Sequence, residues 1–238
     1  MLKDDRKKRL TELLRSLGID DGIDFGLINE ALTHPSYICD GNNGTEAHNQ
    51  RLEFLGDAVV GLVVAKYLFD KYPEKSEGEL TKLRAAIVCE ASLAYAAKSL
   101  KLGEYLQLGK GEELMGGAKR ISNLADCFEA FAGAIYLSKG ILMVQKFILK
   151  ALKRKIDDAV NGKLGDYKTL LQEYIQRSPE NELAYRILQE EGPDHKKRFL
   201  AAVFLNSLEL SHGSGNTKKA AEQQAARSAL NKLRKHDE

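Results

Sequence analysis

The stretch LEFLGDAVVGLVVAKYL, residues 52–68, constrains this chain more than any other. It is apolar on nearly every side, the mark of a helix made for an interior, yet Glu53 and Asp57 stand in its opening turns. Four residues apart, the two acids share one face. Desolvating a charge costs several kcal/mol, and neighbouring carboxylates push one another's pKa up until some take protons. A fold that buries this helix must give its acids something to hold.

The pattern recurs in SNLADCFEAFAGAIYL, residues 122–137, where Asp126 and Glu129 lie three apart at the head of another apolar helix. Acids in a first turn are favoured by the helix macrodipole alone, so either pair taken singly reads as solvated. Two such pairs in one bundle point toward a shared divalent cation, and carboxylate oxygens select Mg²⁺ or Mn²⁺ over zinc. On spacing alone the two readings stay balanced.

Around these segments the first two-thirds of the chain is helical. Leu10, Leu13, Leu14 and Leu17 have helical spacing, as do Leu27, Ile28, Ala31 and Leu32, and further helices are expected over about 50–71, 79–101, 122–138 and 141–159. Residues 38–46 and the glycine-rich LGKGEELMGG read as loops. The period changes after a short linker at 161–165. Residues 166–177 suit an amphipathic helix, LAYRILQE, KRFLAAVFLN and SLELSHG suit strands, and a helix stepping on Ala221, Ala225 and Ala229 closes the chain. The expected architecture is an all-α domain over 1–160, then an α+β domain over 166–235 of order α-β-β-β-α.

Of 238 residues, 43% are hydrophobic and 29% charged, with a net charge of +2, values of a globular protein that do not by themselves establish a nucleic-acid partner. Cys39, Cys89 and Cys127 lack metal-ligand spacing and leave an odd one out, so a reducing, cytoplasmic setting is expected. The charged N-terminal residues are unlike a signal peptide, and the runs AVVGLVVA and AFAGAIYL are short for a membrane span.

HNQRLEFLGDAVV (48–60) closely resembles the signature segment of ribonuclease III, the endonuclease that cuts double-stranded RNA. ALTHPSY (31–37), SEGELTKLRAAIV (76–88), LGKGEE (108–113) and LADCFEAFAGAIYL (124–137) resemble further family segments in family order. The resemblance implies that Glu53, Asp126 and Glu129 coordinate a catalytic Mg²⁺, for which Mn²⁺ can substitute, and that Asp57 acts with Glu129 to activate the attacking water. It implies a homodimer in which Phe54 inserts into the partner subunit, against the plain reading of a core phenylalanine. Glu77 matches a further acidic position, although a simple helix-start charge explains it equally. Gln50 departs from the pattern, since many members carry an acid there. His34, His48 and Cys127 are assigned no catalysis.

DYKTLLQEYIQ, GPDHKKRF and GNTKKAAEQQAA resemble the three contact regions of a double-stranded RNA-binding domain. The resemblance implies that Thr169, Gln172, Glu173 and Gln176 along one helix face, with His195 in a loop, meet minor-groove 2′-hydroxyls. Lys218 and Lys219 would meet phosphate at a helix start. Family substrates are ribosomal RNA precursors and structured messenger RNAs, cut to 5′-phosphate and 3′-hydroxyl ends. The rival is a non-catalytic RNA-binding protein of the same fold, whose mark would be degenerated acids; here all four are present.

Overall fold

A computed structural model describes residues 4–19, 22–40, 47–161, 167–175, 181–193 and 197–234, the side chains of 169, 170, 173 and 234 excepted. The chain divides into two compact units, residues 1–164 and 165–238, each with its own core.

In the first unit, helices α1 (Asp4–Leu17), α2 (Phe25–Ala31), α3 (Pro35–Cys39), α4 (Gln50–Lys71), α5 (Glu77–Ile87), α6 (Glu90–Ser99) and α7 (Lys110–Leu114) gather around α8 (Ile121–Val160). Local chemistry sets their starts. Asp24 caps α2 by accepting from the amides of Gly26 and Leu27, His34 precedes Pro35 at the head of α3, and Ser76 with Glu79 closes a capping box on α5. α8 packs mainly on α4 and α6, with Phe128, Phe131 and Phe147 in ring contact at its centre. Each such ring contributes about 1.5–3 kcal/mol by leaving water.

Two expectations change here. The single helix expected over 79–101 is two, because Cys89 is extended and the Ser92 hydroxyl and Cys89 thiol both donate to the Ala86 carbonyl. Side chains that satisfy a carbonyl in this way compete with helix continuation without any glycine or proline. Part of the expected loop at 38–46 is the end of α3, while 41–46 lie outside the described residues. The helices expected over 122–138 and 141–159 are both present, meeting at Gly140, whose backbone (φ 74°, ψ −177°) is not helical; α8 names the two together. It holds an 18-residue window apolar enough to cross a membrane (mean hydropathy 1.4), half of it buried in this unit.

The second unit runs α9 (Tyr167–Ile175), β1 (Leu183–Glu191), β2 (Arg198–Leu205), β3 (Leu208–Gly215) and α10 (Lys218–Arg234), with an antiparallel sheet in the order β1-β2-β3. Asn206 and Ser207, both at positive φ, make the two-residue turn between β2 and β3. α10 lies directly on β3. A Cβ on Gly213 would fall 2.2 Å from the Ala225 nitrogen, and one on Gly215 2.6 Å from that of Ala221. Ala221, Ala225 and Ala229 are fully buried there, with Phe199, Ala201 and Val203 facing the same interior.

Candidate active site

Two glycines bring the acids together. A Cβ on Gly56 of α4 would lie 1.8 Å from the carbonyl oxygen of Glu129 on α8, and one on Gly133 would lie 2.6 Å from that of Leu52. The two helices therefore cross backbone to backbone at the glycine that Glu53 and Asp57 flank. Glu53, Asp126 and Glu129 each present a carboxylate oxygen within 4.8 Å of the others. All three are half-buried.

The electrostatic cost is concentrated on Glu129. Burial, then the charges of Asp57, Glu53 and Asp126, push its carboxyl up to about 8. Glu53 is raised by burial, then by Asp126 and Asp57. Asp126 is raised by burial and by Glu90, with His34 and a backbone hydrogen bond pulling the other way. Three hard oxygen donors, half out of water and each destabilised as an anion, fit a divalent cation such as Mg²⁺. Asp57 is exposed and stands outside the tight trio, yet close enough to raise both Glu129 and Glu53.

The remaining residues singled out by sequence fall in different places. Gln50, the first residue of α4, is exposed, and Glu77 accepts a hydrogen bond from Thr81 on its own helix. Phe54 is 83% exposed, which excludes the core reading, and Leu62 and Phe69 continue an apolar stripe from it along α4. Cys127 is fully buried with its thiol pushed up to about 12, an inert packing group. His34 caps α3, its Nδ1 accepting from the Ser36 amide at 3.2 Å. In the second unit Gln172 is exposed on α9, and Lys218 and Lys219 are exposed at the start of α10, where Thr217 accepts from the Ala220 amide. The side chains of Thr169 and Glu173, and all of Gln176, His195 and the linker 162–165, lie outside the described residues.

Sequence reasoning missed a clamp and a charge. Glu112 accepts from Asn123 Nδ2 at 2.7 Å and pairs with Arg120 at 2.6 Å, while Ser36 and Asp40 accept from the amides of Gly109 and Lys110. Segment 109–120 thus ties α3 to the head of α8, three residues before Asp126. Glu90, at the start of α6, is the charge that most raises Asp126. A buried asparagine hydrogen-bonded to an acid eleven residues away leaves no periodic trace in a sequence.

Comparison with known proteins decides the family. The Ribonuclease-III-like family profile matches residues 24–156, and the Double-stranded RNA binding motif matches 167–233. The chain belongs to the ribonuclease III family. It is 49% identical over 233 residues to Ribonuclease 3 of Geobacillus kaustophilus, covering 98% of this chain and 94% of that one. It is 52% identical over 204 residues to Ribonuclease 3 of Syntrophomonas wolfei, covering 86% and 87%. The nuclease domain of ribonuclease III from Campylobacter jejuni, a structure described for flexibility in the region involved in dimer formation, superposes with a TM-score of 0.56 at 40% identity. That match covers 61% of this chain and 97% of the other. As a ribonuclease III with a double-stranded RNA-binding motif, the chain has the equipment of a double-strand-directed endoribonuclease, and the acid trio lies within the nuclease match.

Proposed function

We propose that this ribonuclease III hydrolyses phosphodiester bonds in double-stranded RNA as a Mg²⁺-dependent homodimer, with Mn²⁺ able to substitute, leaving 5′-phosphate and 3′-hydroxyl ends. The observation that carries the reading is the trio of half-buried carboxylates within 4.8 Å on two helices in backbone contact. Glu53, Asp126 and Glu129 would hold the ion. Such an ion supplies Lewis acidity toward the phosphate and makes water a better nucleophile at neutral pH.

The chain's own groups do the rest. Asp57, beside Glu129 but open to solvent, orients the attacking water and accepts its proton. The water oxygen bonds to phosphorus as the bond from phosphorus to the 3′ oxygen breaks, and that oxygen takes a proton from solvent to leave as the 3′-hydroxyl, while Asp57 returns its own proton to solvent. The close crossing at Gly56 fixes where the acids stand, so little reorganisation is needed at the moment of reaction.

The second unit supplies the grip. A-form RNA offers 2′-hydroxyls and phosphates rather than base edges, which suits the polar side chains of Thr169, Gln172, Gln176 and His195, with Lys218 and Lys219 at the head of α10. Two active clusters are needed to cut two strands, and a twofold dimer joined through Phe54 provides them. Ribosomal RNA precursors and structured messenger RNAs, in the cytoplasm, are the substrates this implies.

One gel separates the readings. Long duplex RNA should be cut to short duplexes with Mg²⁺, bound but uncut with Ca²⁺, and left uncut with EDTA. Cutting that persists in EDTA refutes the metal site; binding without cutting under Mg²⁺ restores the non-catalytic reading.

A further inference from the structure

Glu190, near the end of β1, takes two of the RNA-binding unit's cations at once. Its Oε1 lies 3.0 Å from Lys197 Nζ and its Oε2 3.7 Å from Lys218 Nζ. Lys197 leads into β2 and Lys218 opens α10, so one carboxylate bridges two segments that are distant in sequence. Lys218 also lies over the Phe199 ring, 5.7 Å from its centroid, which leaves its ammonium between an aromatic face and an acid. Glu190 itself is held below the usual carboxylate range, first by the Lys197 hydrogen bond. All three charged side chains remain open to solvent, so the arrangement is accessible to a polyanion.

A carboxylate with one oxygen on each of two ammonium groups presents to them what a phosphate would. We propose that Glu190 is an intramolecular competitor for the RNA phosphate at Lys218 and Lys197, a charge that limits how tightly the second unit holds duplex RNA. The proposal rests on the reading of Lys218 as a phosphate contact. Each lysine already neutralised by the protein's own acid attracts RNA less, and the acid also repels the incoming phosphate. At about 6 Å in a water-like dielectric, that repulsion alone amounts to about threefold in affinity. The competition matters for turnover, because a product duplex that binds less tightly leaves sooner.

The test is duplex-RNA binding by the full chain in Ca²⁺, measured by fluorescence anisotropy over a range of salt. Glu190→Gln should bind about threefold more tightly at low salt, with a salt slope steeper by up to about 0.9. Glu190→Ala should behave alike, and the gain should shrink when Lys218→Ala is combined with either. If Lys218→Ala weakens binding while both Glu190 variants bind no better than the parent, the competitor role is overturned and the phosphate contact stands. If Lys218→Ala binds as the parent does, the contact falls and the competitor role falls with it.

Discussion

Glu129 is where the cost of the site is felt most, and the consequences can be signed. Its folded-state pKa, about 8 against an ordinary 4.5, means that without metal the folded chain keeps a proton the unfolded chain has lost. The stabilising contribution is full below about pH 4.5 and disappears as pH rises toward 8. Glu129→Gln, which holds no proton to lose, should therefore make the metal-free chain more stable at pH 8, by about 1–2 kcal/mol once partial solvent exposure is allowed for. The same variant should abolish cleavage while binding duplex RNA normally; near-normal cleavage at ordinary Mg²⁺ would falsify the assignment. Mg²⁺ added to the parent chain should release protons and raise Tm more at pH 8 than at pH 5.5. Calorimetry in buffers of different ionisation heat reads the first, thermal scans the second. The acids were legible because helical spacing betrays same-face pairs. Glu90 and the Glu112–Asn123 clamp were not, since they act between helices whose relation no local pattern records.

Among the elements, the crossing of α4 and α8 decides whether the acids meet. Gly56→Ala drives a methyl into the Glu129 carbonyl, where backbone rather than a flexible side chain must yield. It should cost about 3 kcal/mol in urea unfolding and spread the trio, so that cleavage falls further than stability. Gly61, five residues on along the same helix, has open space where a methyl would stand, with nothing within 4 Å. Gly61→Ala should instead stabilise by about 0.5–1 kcal/mol in the same unfolding measurement. A pair of variants that behaved alike would show that the close approach is not what sets the site. In the sequence both glycines look the same, a helix interior with a weak former; only the partner helix distinguishes them. The helices themselves were legible from apolar periodicity and the strands from their alternation. The break at Cys89 was not, because Ser92 ends the helix through a hydrogen bond rather than through a residue type that forbids it.

At the scale of the molecule, the change of period near residue 161 announced two units, and the structure divides the chain close by. What a single chain's sequence leaves least visible is its assembly, and here exposure speaks. Phe54, Leu62 and Phe69 lie 83%, 60% and 71% exposed along one stripe of α4, a seam of large apolar groups that starts next to Glu53 of the acid trio. Water is a poor neighbour for such a seam, and a second copy related by a twofold axis would cover both seams at once while setting two acid clusters side by side. An aromatic anchor at the centre of an interface is commonly worth 2 kcal/mol or more, which is about thirtyfold in the dimer's Kd. Replacing it with a charge adds desolvation to the loss. Phe54→Asp should therefore sediment as a monomer at concentrations where the parent is a dimer, keep its fold and its grip on duplex RNA, and lose double-strand cutting. A variant that still sediments as a dimer removes Phe54 from the interface. A monomer that cuts both strands at the parent's rate would mean that one acid cluster suffices, and the twofold arrangement would then have no part in the chemistry.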